Sequence, residues 1–419
     1  MIRAYSSCHG TSLQLYSRAH RCGIFPDHFA LPAALKACAE TLNMTMGKQV
    51  HAQTIKFGPL SNIFVHTNLI YMYANCGSIS DAHLVFATIP QRNVVTWNVM
   101  ISGYAKAGHM MEALNLLKNM KNENLRPNEI SIVSVVSSCA HFVALDYGAM
   151  MHGYAWRRGY HGVMIINNSI IDMYAKCGRL CMARAVFNEM QTRSMASWGA
   201  MMGGLAMHGR GMQALGLLSD MLEEGVRPDR AAFTSVLCAC SHSGLVNEGR
   251  LWFVRMVRDF GLEPSVQHYG CMVDLLARAG LIDEAYRFVM TMPIEPDGAM
   301  WRTMGCACLA HGDLRIGDIV IEKLLELDPN NGGDLVLISN MYAWLGRWVD
   351  VARVRKEMRD RGVKKSISYS IVEVNNVLHE FVSGDETHPE AREIYWMVDH
   401  LVEQLRHVGY VSWPILMDT

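Results

Sequence analysis

The chain is short of cysteine, of net charge and of long apolar runs. Its 12 cysteines in 419 residues are too dilute for a disulfide-stapled scaffold, and most lie inside apolar patterns such as Leu237–Cys240 and Gly305–Cys308, so they read as reduced packing residues. No stretch approaches the roughly 18–20 uncharged residues of a spanning helix, and Met1–Tyr16 lacks the charged and apolar regions of a secretory signal. No membrane partner is expected. Gly-rich phosphate and dinucleotide motifs are missing. So is the site of a zinc nucleobase deaminase, a His-x-Glu followed by Cys-x-x-Cys. His388-Pro389-Glu390 has the first spacing, but no cysteine follows Cys308, and the tripeptide reads as a turn into a helix. The sequence predicts no enzyme, no metal or other cofactor, and no small-molecule substrate.

Half of the residues are apolar and 18% are charged, which excludes a disordered chain and allows a large core. The charge is uneven: residues 1–200 hold 17 basic and 9 acidic side chains, residues 201–419 hold 21 and 30. An anionic partner is expected on the first half. The 30 methionines read as adaptable core fillers.

Internal repetition governs the organisation, with a period of 101 residues. Ile70–Gly77 (IYMYANCG) returns as Ile171–Gly178 (IDMYAKCG), and Trp97 returns as Trp198. The same step links Cys38, Cys139 and Cys240, Gly47 and Gly148, His51 and His152, and Gly108 and Gly209. Each period divides into three helical hairpins of 35, 35 and 31 residues, as in 94–128, 129–163 and 164–194. In the first, VVTWNVMISGYAKA has helical apolar spacing and stops at Gly108; MMEALNLLKNMKNEN forms a second amphipathic run that ends before Pro127. Gly103, Ala105, Ala107 and Ala113 let the helices approach, while Met100, Ile101, Leu114 and Leu117 fill the seam. Stacked hairpins of this kind make an all-α, superhelical solenoid with a concave groove.

VTWNVMISGYAKAGHMMEALNLLKNMKNENLRPN resembles the pentatricopeptide repeat of plant organelle RNA-binding proteins, and the 35, 35, 31 alternation resembles its PLS subclass of P, long and short motifs. In this register the array spans 1–297, with motifs at 1–27, 28–62, 63–93, 94–128, 129–163, 164–194, 195–229, 230–265 and 266–297. Residues 298–363 resemble the two extension motifs that follow such arrays. Residues 364–419 resemble the truncated start of a DYW deaminase domain, with alternating runs around Asn375-Asn376 that suggest a small β-hairpin and an amphipathic helix after Pro389. The family's Pro-Gly-x-Ser-Trp stretch reads Ser366-Ile367-Ser368-Tyr369 here, a departure in the segment expected to recruit a deaminase.

The resemblance implies a site. In the family, the fifth and last residues of a motif select a base, and the second residue sandwiches it. Those positions are Thr67 with Asn93, Asn98 with Asn128, Asn168 with Ser194, and Gly199 with Asp229; Phe64, Val95, Ile165 and Ala196 are the sandwich positions. The first pair implies adenine, the second a pyrimidine, the third cytosine. Gly199 has no side chain to read an edge, so its repeat is assigned no base. Asn carries both donor and acceptor and can select a base edge. Capping of helices by Asn98 and Asn168 is the competing expectation.

The implied partners are single-stranded organelle RNA and, through residues 298–419, a DYW-type deaminase or other editing factors. The implied role is recognition of sites for C-to-U editing, with the chemistry in trans. Splicing, end processing or RNA stability is the alternative within RNA binding, and a protein-binding scaffold the alternative outside it. Met1–Tyr5 aligns with Met100–Tyr104, so the chain starts inside a motif, and an N-terminally truncated gene model is expected. Its lack of a transit peptide then leaves an organelle open, mitochondrion first and chloroplast second.

Overall fold

The computed structural model describes residues 9–24, 29–57, 62–363, 369–374, 377–382 and 384–407. The chain forms two compact units, residues 1–197 and 198–419. Both are built from antiparallel helical hairpins, and a two-stranded sheet with a final helix lies near the C-terminus.

In the first unit the helices, numbered in chain order, are α1 (His9–Arg21), α2 (Ala30–Glu40), α3 (Met44–Phe57), α4 (Ile63–Asn75), α5 (Ile79–Ala87), α6 (Val94–Lys106), α7 (Met110–Met120), α8 (Glu129–His141), α9 (Leu145–Arg157), α10 (Met164–Lys176) and α11 (Leu180–Glu189). The first helices of successive hairpins, α2, α4, α6, α8 and α10, pack side by side. Each second helix packs on its own partner, and α3, α5, α7 and α9 also pack on the next first helix. No hairpin could bury its apolar face alone. Leu69, Ile70, Met100, Ile101, Val135 and Ile170 are fully buried between neighbours, each contributing about 1.5–3 kcal/mol of transfer free energy.

Repeated small residues set the spacing. A Cβ on Gly103 would lie 2.8 Å from Ala74 Cβ and 3.2 Å from Ile79 Cδ1, so α6 can close onto the preceding hairpin only with glycine there. Gly108 takes φ +82° and ends α6, with His109 N–H donating to Tyr104 O at 2.9 Å, the left-handed helix stop that glycine favours. Ala107 departs from its expected seam role: α6 has already ended at Lys106, and Ala107 is an exposed cap.

Two of the 101-residue repeats are explained by contacts between hairpins. His51 Nδ1 lies 2.8 Å from Tyr73 Oη, and His152 Nδ1 lies 3.0 Å from Tyr174 Oη, each bridging a second helix to the next first helix. The Gly47 and Gly148 positions face Met72 and Met173, whose sulfurs would be 2.3 and 2.4 Å from an added Cβ.

The second unit continues with α12 (Met195–Met207), which begins at the boundary, then α13 (Gly211–Glu223), α14 (Arg230–Ser243), α15 (Val246–Arg258), α16 (Val266–Arg278), α17 (Ile282–Thr291), α18 (Gly298–His311), α19 (Leu314–Leu327), α20 (Gly332–Trp344) and α21 (Trp348–Asp360). Its core runs through Val273, Leu276, Trp301, Met304, Ile321, Leu324 and Ile338. β1 (Tyr369–Val374) pairs antiparallel with β2 (Val377–Val382), and α22 (Ala391–His407) follows. The Asn375-Asn376 turn and residues 364–368 lie outside the described residues, as do residues 1–8 and 408–419. His388 does turn the chain into α22: its Nδ1 accepts from Glu390 N–H at 3.1 Å and its Nε2 lies 2.8 Å from His379 Nδ1.

Candidate nucleic-acid interface

The positions expected to read bases fall at two structurally defined places. The last residue of a hairpin is the N-cap of the next first helix, and the fifth residue lies one turn inside the preceding first helix. Asn93 caps α6, its Oδ1 accepting from Thr96 N–H at 2.9 Å. Asn128 caps α8, accepting from Ser131 N–H at 3.2 Å in a reciprocal capping box. Asp229 caps α14, accepting from Ala232 N–H at 2.8 Å. Ser194 Oγ accepts from Ser197 N–H at 3.3 Å. Asn98 and Asn168 themselves lie inside α6 and α10; they cap nothing, which overturns the capping expectation for both.

The fifth and last residues meet side by side. Asn98 Nδ2 donates to Asn128 Oδ1 at 2.9 Å, and Ser131 Oγ donates to Asn98 Oδ1. Asn98 is only 6% exposed, and each end of its amide is engaged once. One N–H and one lone pair remain, since a carboxamide has two of each. Among the described residues Asn128 Nδ2 donates to no partner. The pair is oriented before any ligand arrives.

One hairpin earlier the same arrangement uses hydroxyls. Thr67 Oγ1 lies 3.2 Å from Thr96 Oγ1, which donates to Asn93 Oδ1 at 2.9 Å. Thr67 Oγ1 also donates back to Ile63 O at 2.7 Å. At Asn168 the linkage is broken: its Oδ1 is buried and finds no hydrogen-bond donor among the described residues. A buried acceptor left unpaired costs about 1–3 kcal/mol. Gly199 leaves open space where a side chain would stand, with nothing within 4 Å of an added Cβ.

The second-position residues stand out from the first helices. Phe64 is 68% exposed, Val95 57% and Ile165 55%; Ala196 is exposed as well. These apolar side chains sit on helices whose opposite faces are fully buried, so packing does not account for them. Ile130, 63% exposed on α8, belongs to the same row and was not anticipated, because the long motifs had no assigned base. The bridging hydroxyls Thr96 and Ser131 were also missed. Their signal was present as Ser or Thr three residues after an Asn, the spacing of a capping box.

Histidines near this layer are held neutral. Burial lowers the pKa of His51 and of His152. In the second unit burial likewise lowers His268, whose Nε2 lies 3.2 Å from Thr234 Oγ1 and 2.9 Å from Arg230 O. Further along, Arg302 on α18 lies 3.1 Å from both carboxylate oxygens of Asp334 on α20. An ion pair there takes the register position held by Asn98 and Ser131 upstream. Among the described residues no group of three or more His, Cys, Asp or Glu side chains is placed to hold a metal ion.

Comparison with known proteins agrees with this architecture. Residues 92–141 match the PPR repeat family, residues 168–195, 196–226, 231–259 and 268–293 match the PPR repeat, and residues 311–373 match the E motif. The pentatricopeptide repeat-containing protein At1g31920 of Arabidopsis thaliana is 40% identical over 413 residues, covering 98% of this chain and 68% of that protein. The Arabidopsis thaliana pentatricopeptide repeat-containing proteins At1g59720, chloroplastic/mitochondrial, and CRR2, chloroplastic, are 39% and 37% identical, over 92% and 95% of this chain and 62% of each relative. Among solved structures, the pentatricopeptide repeat protein PPR10 in complex with an 18-nt psaJ RNA element aligns with a TM-score of 0.41 and 15% identity, over 87% of this chain and 68% of that one. The chain belongs to the pentatricopeptide repeat family and carries an E motif after its repeats.

Proposed function

We propose that this protein binds single-stranded RNA in a sequence-specific manner and acts as a site-recognition factor for C-to-U editing of organelle transcripts. The observation that carries the reading is the juxtaposition of an exposed apolar side chain with a hydrogen-bonded polar set in two successive hairpins, Phe64 with Thr67, Thr96 and Asn93, and Val95 with Asn98 and Asn128; Ile165, Asn168 and Ser194 hold the same positions in a later hairpin, without a bond between the last two. A base slotted between successive apolar residues offers its Watson–Crick edge to the pair between them. Asn98 and Asn128 have both a free donor and a free acceptor for a pyrimidine edge. Asn168 with Ser194 takes the cytosine position. Thr67 with Asn93 takes the adenine position. Gly199 with Asp229 and Ala196 would pass a base without reading it.

Residues 298–419 would dock a DYW-type deaminase or other editing factors. The organelle assignment draws support from the names of relatives, which are chloroplastic or chloroplastic/mitochondrial; they favour the chloroplast over the mitochondrion.

Selection from a random RNA library by the purified chain should return a preference for adenine, pyrimidine and cytosine at the positions facing the three pairs. Asn98→Ala should relax the pyrimidine preference and weaken the selected RNA by about 1–3 kcal/mol, the range measured for bidentate base contacts. Binding without preference, or preference untouched by Asn98→Ala, would overturn the base-reading assignment. In a loss-of-function plant, organelle RNA sequencing should lose conversion at one or a few cytidines with introns removed normally. Intact editing with a splicing or end-formation defect would replace editing with that role.

A further inference from the structure

The first unit also holds a basic cleft away from the row of base-reading pairs. It is an open cavity of about 1330 Å³ between the second helices α7 and α9 and the loops that follow them. Lys118, Lys121, Arg126, Arg157 and Arg158 line it, and none of its lining residues is acidic. All five cations are exposed, and none pairs with a carboxylate among the described residues. Tyr154 and Tyr160 form part of the wall, Arg158 lying 5.5 Å from the Tyr154 ring centre and Tyr160 Oη donating to Pro127 O at 2.7 Å.

This charge is not a by-product of the repeat. One period of 101 residues later the same five positions are Ser219, Leu222, Arg227, Arg258 and Asp259. There the charge is neutralised locally: Asp259 accepts from Arg255 at 2.9 Å and from Arg258 at 3.1 Å. The hairpin folds without the basic set, so the set is not needed for folding. Five uncompensated cations facing one cavity repel one another, and an anion relieves that repulsion.

The cleft shares a loop with the base-reading row. Leu125, Arg126 and Pro127 line it, and the next residue, Asn128, is hydrogen-bonded to Asn98. The loop after α7 thus joins the wall of the cleft to the Asn98–Asn128 pair. We infer that the α7–α9 cleft is a second, sequence-independent RNA site, taking the phosphates and stacked bases of nucleotides that flank the segment read by the first helices. The arginines supply forked donors for phosphate oxygens and the tyrosines supply faces for bases. The inference rests on the proposal that the chain binds single-stranded RNA. The loop shared with Asn128 and the two tyrosines in the wall favour RNA over an acidic peptide.

The test compares the full chain with Arg157→Gln/Arg158→Gln and, separately, with Lys118→Gln/Lys121→Gln. All are exposed positions, and circular dichroism and thermal unfolding check the fold. Binding of a long random-sequence single-stranded RNA is followed against salt. Each double variant should flatten the slope of log affinity against log salt by about 1.4, two phosphate contacts at roughly 0.7 each, while base preference in library selection stays that of the parent. Asn98→Ala should do the reverse, changing preference and leaving the slope. An unchanged slope in both double variants, with base preference intact in the parent, overturns the cleft and leaves the base-reading site standing. A flattened slope with no base preference in any protein supports the cleft and removes the base-reading site. Unchanged RNA binding with loss of binding to a poly-glutamate peptide overturns the RNA assignment in favour of an acidic protein partner.

Discussion

Cysteine chemistry here is decided by neighbours rather than by sequence context. Cys238 and Cys240 are two residues apart on α14, yet Cys240 faces the core, where burial pushes its thiol up to about 12. Cys238 is pulled down, first by the neighbouring Cys271 thiol and further by His242, whose Nε2 lies 3.9 Å away. The thiolate is the reactive form, so iodoacetamide at pH 7 followed by peptide mapping should modify Cys238 well before Cys240 and Cys38, which stay untouched in the folded chain. The reading of the cysteines as packing residues thus holds for Cys38, Cys139, Cys240 and Cys308, which are buried, and fails for the exposed Cys22, Cys181 and Cys306 and for Cys238. Its partners come from the next hairpin and from one turn on, and no local pattern announces the first. Gly148 is the opposite case. Its return one period after Gly47 was visible, but the reason, a methionine sulfur against the helix backbone, required the packing. Gly148→Ala forces Met173 aside and should lower stability by about 1–3 kcal/mol, partly offset by the better helix propensity of alanine; urea unfolding of the variant measures it.

At the scale of elements, the hairpins were legible because glycine stops and apolar spacing repeat with the period. The interior linkages were not, since they join residues about thirty apart that have no local signature. Asp334 shows what such a linkage supports. Its carboxylate is nearly buried on α20, and its charge is met by Arg302 from α18. Arg302→Leu leaves that charge without its partner and should cost about 1–3 kcal/mol, the lower part of the range for broken buried pairs because the arginine is itself partly exposed. Asp334→Asn in the same background should recover much of it, a double-mutant cycle in thermal unfolding being the check. Asp297 makes a simpler test. Its Oδ1 accepts from Met300 N–H at 2.9 Å and caps α18, so Asp297→Ala should cost about 1 kcal/mol and Asp297→Ser far less.

Over the whole molecule, the sequence foretold an all-α array and a charge gradient, but not a division at residues 197 and 198, where the repeat pattern continues without interruption. Buried neutral histidines occur in both units, His51 and His152 in the first and His268 in the second. Above the ordinary imidazole value near 6.5, folded and unfolded chains are both neutral at these sites and stability is unaffected. As pH falls below it, the unfolded chain takes up protons that the folded chain refuses, and stability declines until the lowered folded values are reached. The melting temperature should therefore drop between about pH 7 and pH 5. His51→Gln/His152→Gln should flatten that decline in part, whatever it does to the stability at pH 8.

The caps carry an evolutionary consequence. Seven residues that close a motif hold the next helix by its first turn: Asn62, Asn93, Asn128, Ser194, Asp229, Asp297 and Asn331 all place a side-chain oxygen on a backbone N–H, whereas Val163, which closes 129–163, has no side-chain bond to α10. Only short polar side chains do this well. If the same residue also selects a base, the alphabet from which that letter can be drawn is fixed by helix stability before any RNA is consulted. At these seven sites a new target is reached at least cost in stability by exchange among Asn, Asp, Ser and Thr or by changing the fifth position, where no cap is at stake.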